Sequence, residues 1–169
     1  MSPLPAVSTP TTFVVFGATG DLFARKIIPS LYLLYCEKKI PEVFSVIGFG
    51  RQALTTDSFR EHIFVQLKTA VPDVTLHSTG TFLELFEYHQ GEFNDSASFE
   101  ALGEKLRLRD GNCLCDTVKS FYLAVPPQLV RTLAPHISEV VPKNTSTRRI
   151  IIEKPFGHDE ESARDLNRY

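Results

Sequence analysis

The sequence predicts an α/β protein in which a doubly wound, mostly parallel sheet lies between two layers of helices. Short apolar runs recur along the chain, such as Phe13–Phe16 and Phe44–Phe49, and continuous apolar runs are typical of buried parallel strands. Segments able to form helices separate these runs. The chain has 169 residues, of which 43% are hydrophobic, so it is long enough for one domain with a substantial core.

The first strand leads directly into a glycine-spaced turn, Gly17-Ala18-Thr19-Gly20. Glycines let the backbone turn sharply and let a phosphate approach the amides, and the helix that follows begins with unpaired N–H groups that attract an anion. The third glycine of the full dinucleotide fingerprint is absent, so the motif alone also fits a turn that binds nothing. Its place near the start of the chain favours the first βα unit of a Rossmann-type domain.

The residue after the second strand bears on the choice of coenzyme. In a dinucleotide fold this strand end meets the adenine ribose, where an acidic side chain would bind the free 2′-hydroxyl of NAD. Glu42 lies at the other end of the strand, and Arg51 follows its carboxyl end. The planar fork of an arginine suits a 2′-phosphate, so we interpret Arg51 as an NADP contact rather than an ordinary surface arginine.

The other elements follow from apolar runs, caps and prolines. The first helix spans Leu22–Lys38 and contains Pro29, which predicts a kink; Leu31, Leu34 and Ile27 or Ile28 should face the sheet. Tyr122 and Lys154 stand near the ends of apolar strands, where ligand contacts occur in open α/β sheets. The further expected elements are a helix from a cap at 55–57 to Leu67, a loop over 70–80, a strand Phe82–Tyr88, a helix Phe99–Leu108, a strand Lys119–Val125 stopped by Pro126 and Pro127, a helix after those prolines, a strand Arg149–Glu153 and a helix Glu160–Tyr169.

Charge and composition argue against several functional classes. The net charge of −2 gives no electrostatic reason to expect a nucleic acid or an anionic membrane as partner, and no apolar run suits a membrane span. Three cysteines argue against a disulfide framework, and neither they nor the five scattered histidines have the spacing of metal ligands. We expect a cytoplasmic protein with a flexible tail over residues 1–11, a single domain over 12–169 and no metal site.

Motifs in four places resemble glucose-6-phosphate dehydrogenases, in that family's order. They are Gly17–Leu22 with Arg25-Lys26, Gly48–Arg51, Phe121–Pro127 and Ile152–Gly157. The resemblance matches the family's N-terminal NADP-binding domain. It implies that Thr19, Gly20, Asp21 and Leu22 hold the coenzyme pyrophosphate and that Gly17 also binds the coenzyme. It further implies that Arg51 binds the 2′-phosphate, that Tyr122, Ala124 and Pro126 lie beside the coenzyme, and that Lys154 touches both the substrate and the nicotinamide end.

The same resemblance implies an activity: oxidation of glucose 6-phosphate at C1 to 6-phosphogluconolactone, with hydride transfer to NADP, in the oxidative pentose phosphate pathway. It also implies a homo-oligomer for the full-length protein. The catalytic histidine–aspartate pair belongs to a C-terminal domain that we expect to be absent here, so no catalytic residue is assigned and no turnover by this chain alone is expected. Gln52 resembles members that also accept NAD, and Phe23 stands where the family usually has alanine.

Two other interpretations remain open. One is an epimerase-like or nucleotide-sensing Rossmann protein, which would need a Tyr-x-x-x-Lys pair late in the sheet. The pair Tyr35 and Lys39 has that spacing but lies in the first helix, and we interpret it as a chance match. The other is a non-catalytic module that binds NADP.

Overall fold

Five parallel strands form one sheet in the order β3-β2-β1-β4-β5. The structure is a computed structural model that describes residues 9–111, 116–140, 146–154 and 164. In chain order its elements are β1 (Thr11–Phe16), a π-helical turn (Phe23–Ile27), α1 (Ile28–Cys36), β2 (Phe44–Gly50), α2 (Thr56–Ala70), α3 (Leu76–Glu84), β3 (Phe86–Gln90), α4 (Ser96–Asp110), β4 (Thr117–Leu123), a 3₁₀ turn (Pro127–Leu129), α5 (Val130–Val140) and β5 (Ser146–Ile152). The predicted doubly wound α/β fold is confirmed.

Each face of the sheet has its own apolar core, because successive side chains of a strand point to opposite faces. Val14 and Phe16 of β1 point toward α4 and α5, where they pack with residues such as Phe99 and Leu133. Val15 points to the opposite face, which α1, α2 and α3 cover. The central strands β1 and β2 are buried on both sides over most of their length, and this explains why they read as continuous apolar runs in the sequence.

The chain reverses its direction across the sheet between β1 and β4. From β1 it moves outward through β2 to β3, then crosses back to place β4 on the other side of β1 and β5 beyond it. In open α/β sheets, ligands bind outside the carboxyl ends of the strands at such a switch point. The ends of β1 and β4 therefore mark where a site is expected.

The loop predicted over residues 70–80 is shorter than expected: residues 71–75 connect two helices, and α3 begins at Leu76. Thr75 begins α3 with a capping box, in which its side chain accepts from the Ser78 N–H and the Ser78 hydroxyl accepts from the Thr75 N–H. Phe82 and Leu83, expected in a strand, are buried in this helix. The third strand consequently begins at Phe86 rather than Phe82.

The first helix differs from its prediction in three respects. Its irregularity is the π-helical turn, where the N–H of Ile28, the residue directly before Pro29, donates to Phe23 O. Pro29 itself lies in the first turn of α1. The helix ends at Cys36 rather than Lys38. Leu34 is 39% exposed and is not part of the core, against the expectation that it faces the sheet.

Several sequence predictions fall at the limits of the described chain. The Thr11 N–H donates to Val43 O at 2.9 Å, so β1 begins inside the predicted tail. Residues 1–8, both cysteines at 113 and 115, and the predicted helix Glu160–Tyr169 apart from Arg164 lie outside the described residues. Within the described ranges, no helix is long and apolar enough to span a bilayer.

Candidate functional site

A cavity of about 480 Å³ opens at the carboxyl edge of the sheet, over the switch point. Segments that follow the first four strands contribute to it. Its lining comprises Gly17, Thr19, Gly20, Gly50, Arg51, Gln52, Glu92, Phe93, Ala124, Val125, Pro126 and Leu129. This volume lies within the ordinary range for small-molecule sites. Two other cavities, between α4 and α5 and between α2 and α3, contain none of the predicted site residues.

Gly17 allows the first loop to approach the end of β4. It has a φ of +83°, and a Cβ at this position would lie 2.4 Å from Ala124 O. The Gly17 N–H donates to Phe49 O, and the Ala124 N–H donates to Phe16 O, both at 3.0 Å. A side chain at position 17 would separate these segments, so this glycine fixes the floor of the cavity.

The helix that follows the turn presents backbone N–H groups at the same edge. The Gly20 N–H is used within the turn, where it donates to Gly17 O at 2.9 Å, and the Ala24 N–H donates to Gly20 O at 3.1 Å. The N–H groups of residues 21–23 precede that bond in the first helical turn, where amides have no intrahelical acceptor. An anion beside Thr19 and Gly20 would meet these groups and the positive end of the helix.

Arg51 supplies the positive side chain of the cavity. It is exposed, and no hydrogen bond or ion pair links it to any other residue that the structure describes. The loop that carries it is short: the Leu54 N–H donates to Gln52 O at 2.9 Å, and Thr55 then caps α2 by accepting from the Ser58 N–H. An unpaired guanidinium on a short loop is suited to binding an external anion.

Four predicted residues do not line this cavity. Asp21 forms an exposed ion pair with Arg25 at 2.5 Å, and Leu22 is half-buried at the start of the helix. Tyr122 extends from β4 and donates its hydroxyl to Glu153 Oε1; burial, followed by this contact with the carboxylate, raises the pKa of Tyr122 to about 12. Lys154 is exposed just beyond β5. The roles given to these four residues stay predictions.

The aromatic side of the cavity was not predicted from the sequence. Phe93 follows β3, its ring stacks on that of Phe49 with centroids 5.9 Å apart, and its outer part lines the cavity. Glu92 adds a carboxylate beside it. The signal was available: with β3 ending at Gln90, positions 91–93 occupy a strand end just as Arg51 does. Phe23, the departure from the family pattern, is fully buried and stacks on Phe59 of α2, away from the cavity.

The lining fits a dinucleotide on its own chemistry. A glycine turn with free helix amides suits a diphosphate, an unpaired arginine suits a further phosphate, and an aromatic face suits a base. These three features follow neighbouring strands β1, β2 and β3, and line one cavity.

Comparison with known proteins yields a family model that spans nearly the whole chain. Residues 14–169 match the model described as "Glucose-6-phosphate dehydrogenase, NAD binding domain". The chain belongs to the glucose-6-phosphate dehydrogenase family. This confirms the resemblance drawn from the four sequence motifs, and it makes a nicotinamide dinucleotide the class of cofactor.

Curated and solved relatives agree with this assignment. Glucose-6-phosphate 1-dehydrogenases of Treponema pallidum and Bacillus subtilis are each 35% identical, over 94% and 92% of this chain. A solved glucose-6-phosphate dehydrogenase in complex with its substrate glucose 6-phosphate superposes with a TM-score of 0.84 at 28% identity and covers 95% of this chain. The matches cover 32%, 31% and 34% of those proteins, so the chain spans about a third of their length.

Proposed function

We propose that this chain binds NADP across the carboxyl edge of its sheet. We further propose that in the whole protein it is the coenzyme domain of a glucose-6-phosphate dehydrogenase. That enzyme oxidises glucose 6-phosphate at C1 to 6-phosphogluconolactone and transfers the hydride to NADP, in the oxidative pentose phosphate pathway.

One observation carries the proposal: the glycine turn and Arg51 line the same cavity. They follow β1 and β2, which are neighbours in the sheet. A diphosphate at Thr19 and Gly20 places the adenosine half of a dinucleotide over β2, where Arg51 is positioned to receive a 2′-phosphate. The base then lies within reach of Phe93, whose ring can stack on it.

The nicotinamide half extends in the other direction, over the ends of β4 and β5. Ala124 and Pro126 line this part of the cavity, and Tyr122, Glu153 and Lys154 lie along the same edge. When bound, the coenzyme supplies the ring that accepts the hydride. The chain's own residues orient the ring, and Lys154, extending from the end of β5, is proposed to contact the sugar phosphate.

The proton of the C1 hydroxyl needs a base within hydrogen-bonding reach. None of the described residues that line the cavity is a histidine. We therefore propose that the base belongs to a part of the whole protein outside this lining, and that this chain alone binds coenzyme without turnover. The same observation favours a second candidate, a module that binds NADP without any catalytic role. Oxidation of glucose 6-phosphate by the whole protein would exclude that candidate.

A homo-oligomeric, cytoplasmic enzyme is part of the proposal, as is the use of NAD as a weaker second coenzyme. The oligomer rests on family resemblance, and the cytoplasmic location rests on the composition and the cysteine usage of the sequence. The third rests on Gln52, which resembles members of the family that also accept NAD and which lines the cavity beside Arg51.

Binding measurements on the purified chain test the proposal. Melting temperature is followed without ligand, with NADP and with NAD at equal concentrations, because a ligand that binds only the folded state raises it. NADP is expected to give the larger rise, and calorimetric titration should show one site. Absence of any shift with either dinucleotide would contradict the proposed function.

A further inference from the structure

The hydroxyl of Tyr88 is buried without a hydrogen-bond partner. Tyr88 lies on β3, and only 6% of its surface is exposed. Within the described part of the chain, its Oη is the one fully buried side-chain N or O atom that makes no hydrogen bond. Buried tyrosine hydroxyls usually find a partner, because the loss of water is otherwise uncompensated.

This hydroxyl lies directly beneath the loop that carries Arg51. A Cβ placed on Gly50, the last residue of β2, would lie 2.8 Å from Tyr88 Oη and 3.6 Å from its Cζ. Gly50 is itself part of the cavity lining. The phenol thus supports the exact point at which the chain leaves the sheet and enters the candidate site.

The backbone and the ring of Tyr88 are both held by contacts with α2. Its backbone N–H donates to the Thr56 hydroxyl at 3.2 Å, at the start of α2. Its ring packs against Phe59 of the same helix, with centroids 5.0 Å apart. The hydroxyl therefore cannot swing to a distant acceptor, and any new partner must come to it.

The loop backbone offers such a partner. Gln52 comes two residues after Gly50, whose Cβ position lies 2.8 Å from the Tyr88 hydroxyl, so its backbone N–H belongs to the nearest part of the loop. Burial raises the pKa of Tyr88, and the Gln52 backbone acts in the opposite direction. The amide does not complete a hydrogen bond in this structure. A small inward movement of residues 51–54 would complete one.

We propose that Tyr88 is a positioning residue for the coenzyme's 2′-phosphate: when Arg51 engages the phosphate, the loop settles and the Gln52 N–H donates to the Tyr88 hydroxyl. The inference rests on the proposed function and extends it to a residue outside the cavity. NAD lacks the phosphate that draws Arg51 inward, so it gains less from this hydrogen bond.

The variant Tyr88→Phe removes the hydroxyl and keeps the ring. Dissociation constants for NADP and NAD are measured by calorimetric titration, together with the melting temperature without ligand. A hydrogen bond formed only in the complex is expected to cost NADP about three- to tenfold in affinity, whereas NAD changes by less than about twofold. The ligand-free melting temperature should stay equal or rise, since the variant loses an unpaired buried hydroxyl.

Tyr35→Phe is the matched control. The Tyr35 hydroxyl already has a partner, the Thr81 hydroxyl at 2.6 Å, and it lies between α1 and α3, away from the cavity. Its removal should leave the NADP-to-NAD ratio unchanged.

A second variant, Gly50→Ala, tests the contact itself. Alone, the added methyl meets the hydroxyl; in the Tyr88→Phe background the nearest atom becomes the ring carbon at an ordinary contact distance. The NADP affinity lost through Gly50→Ala should therefore be smaller in the double variant than in wild type.

The outcomes separate this inference from the proposed function. Equal losses for NADP and NAD in Tyr88→Phe, no loss for either, a fall of several degrees in the ligand-free melting temperature, or strict additivity with Gly50→Ala would each overturn the role of Tyr88 while NADP binding by wild type stands. A wild-type chain that binds neither dinucleotide would overturn both.

Discussion

Polar side chains at the amino ends of the strands (the amino edge of the sheet) differ in their pairing from those at the carboxyl ends (the carboxyl edge). At the amino edge, the ammonium of Lys119 is 1% exposed on β4 and donates to Asp110 Oδ1 at 2.5 Å and to Thr117 Oγ1 at 2.9 Å. The Thr117 hydroxyl in turn donates to the same carboxylate at 3.1 Å. These three groups satisfy one another, and they tie the end of α4 to the start of β4.

At the carboxyl edge, Arg51 is exposed without a partner among the described residues, and the first amides of the helix after Gly20 precede its first intrahelical acceptor. An internal network contributes to the stability of the folded state. Unpaired groups around a cavity contribute nothing until a ligand arrives. Structural charged groups and candidate ligand-binding groups therefore differ in whether they are paired within the protein, rather than in residue type.

Replacement of Lys119 should give the largest effect on stability. Lys119→Met leaves Asp110 without its cation, and we expect a loss of about 2 to 3 kcal/mol in the free energy of unfolding, at or below the usual range for breaking a buried pair because Asp110 keeps partial access to water. Urea denaturation measures the loss, with Lys68→Met on the exposed end of α2 as control. Affinity for NADP should not change, and a parallel loss of affinity would mean that the two edges are not independent.

The aromatic wall of the cavity should affect binding of both coenzymes alike. Phe93→Ala removes the face on which a base can stack. Such stacking is worth about 1 to 3 kcal/mol per base in proteins that bind single-stranded nucleic acids, so NADP and NAD should weaken by similar factors. Calorimetric titration with each dinucleotide checks this. Phe93→Leu, which keeps much of the packing against Phe49, separates stacking from core disruption. An effect confined to NADP would place the adenine elsewhere.

His89 tests whether a side chain at the carboxyl edge has a structural role when it is paired within the protein. It lies near the carboxyl end of β3, yet its ring stacks on Phe49 and its Nε2 bonds to Ser98 O at 3.0 Å. Burial lowers the pKa of His89 below its ordinary value, with Lys105 acting in the same direction. The unfolded chain therefore takes up the proton first, and this contribution to stability is complete above about pH 6.5 and declines as the pH falls below it.

His89→Gln should flatten that decline in the free energy of unfolding between pH 7.5 and 5.5, by less than one proton per molecule. His77→Gln, on an exposed position of α3, is the control. An unchanged slope in His89→Gln would show that the histidine is not held neutral by the fold.

Much of the fold was predictable from local sequence patterns. The second and fourth strands were predicted to end at Phe49 and Val125 and end at Gly50 and Leu123. The glycine turn and the end of β1 at Phe16 were predictable, because buried parallel strands and phosphate turns have strong local signatures. Residues 70–80 were not, since Thr75 and Ser78 form a capping box that looks like an ordinary polar loop until Phe82 and Leu83 find a core to pack against. Packing across the chain decided that segment.

The candidate site likewise contains residues that local sequence patterns predicted and residues that they did not. Arg51 was predictable because it directly follows a recognisable strand. Phe93 was missed because the position of the third strand was wrong, and its ring reaches the cavity only through packing on Phe49. The unpaired hydroxyl of Tyr88 depends on the distance between two strands, which no local pattern contains.

The ratio of the dissociation constants for NADP and NAD, measured in wild type and in Arg51→Ala, tests the coenzyme assignment most directly. A charge-assisted contact to the 2′-phosphate predicts that Arg51→Ala weakens NADP by about 10- to 100-fold and NAD by less than about twofold, with no change in melting temperature. Arg107→Ala, on α4 and paired with Glu104, is the control. Equal changes for the two coenzymes would contradict the assignment of Arg51 to the 2′-phosphate.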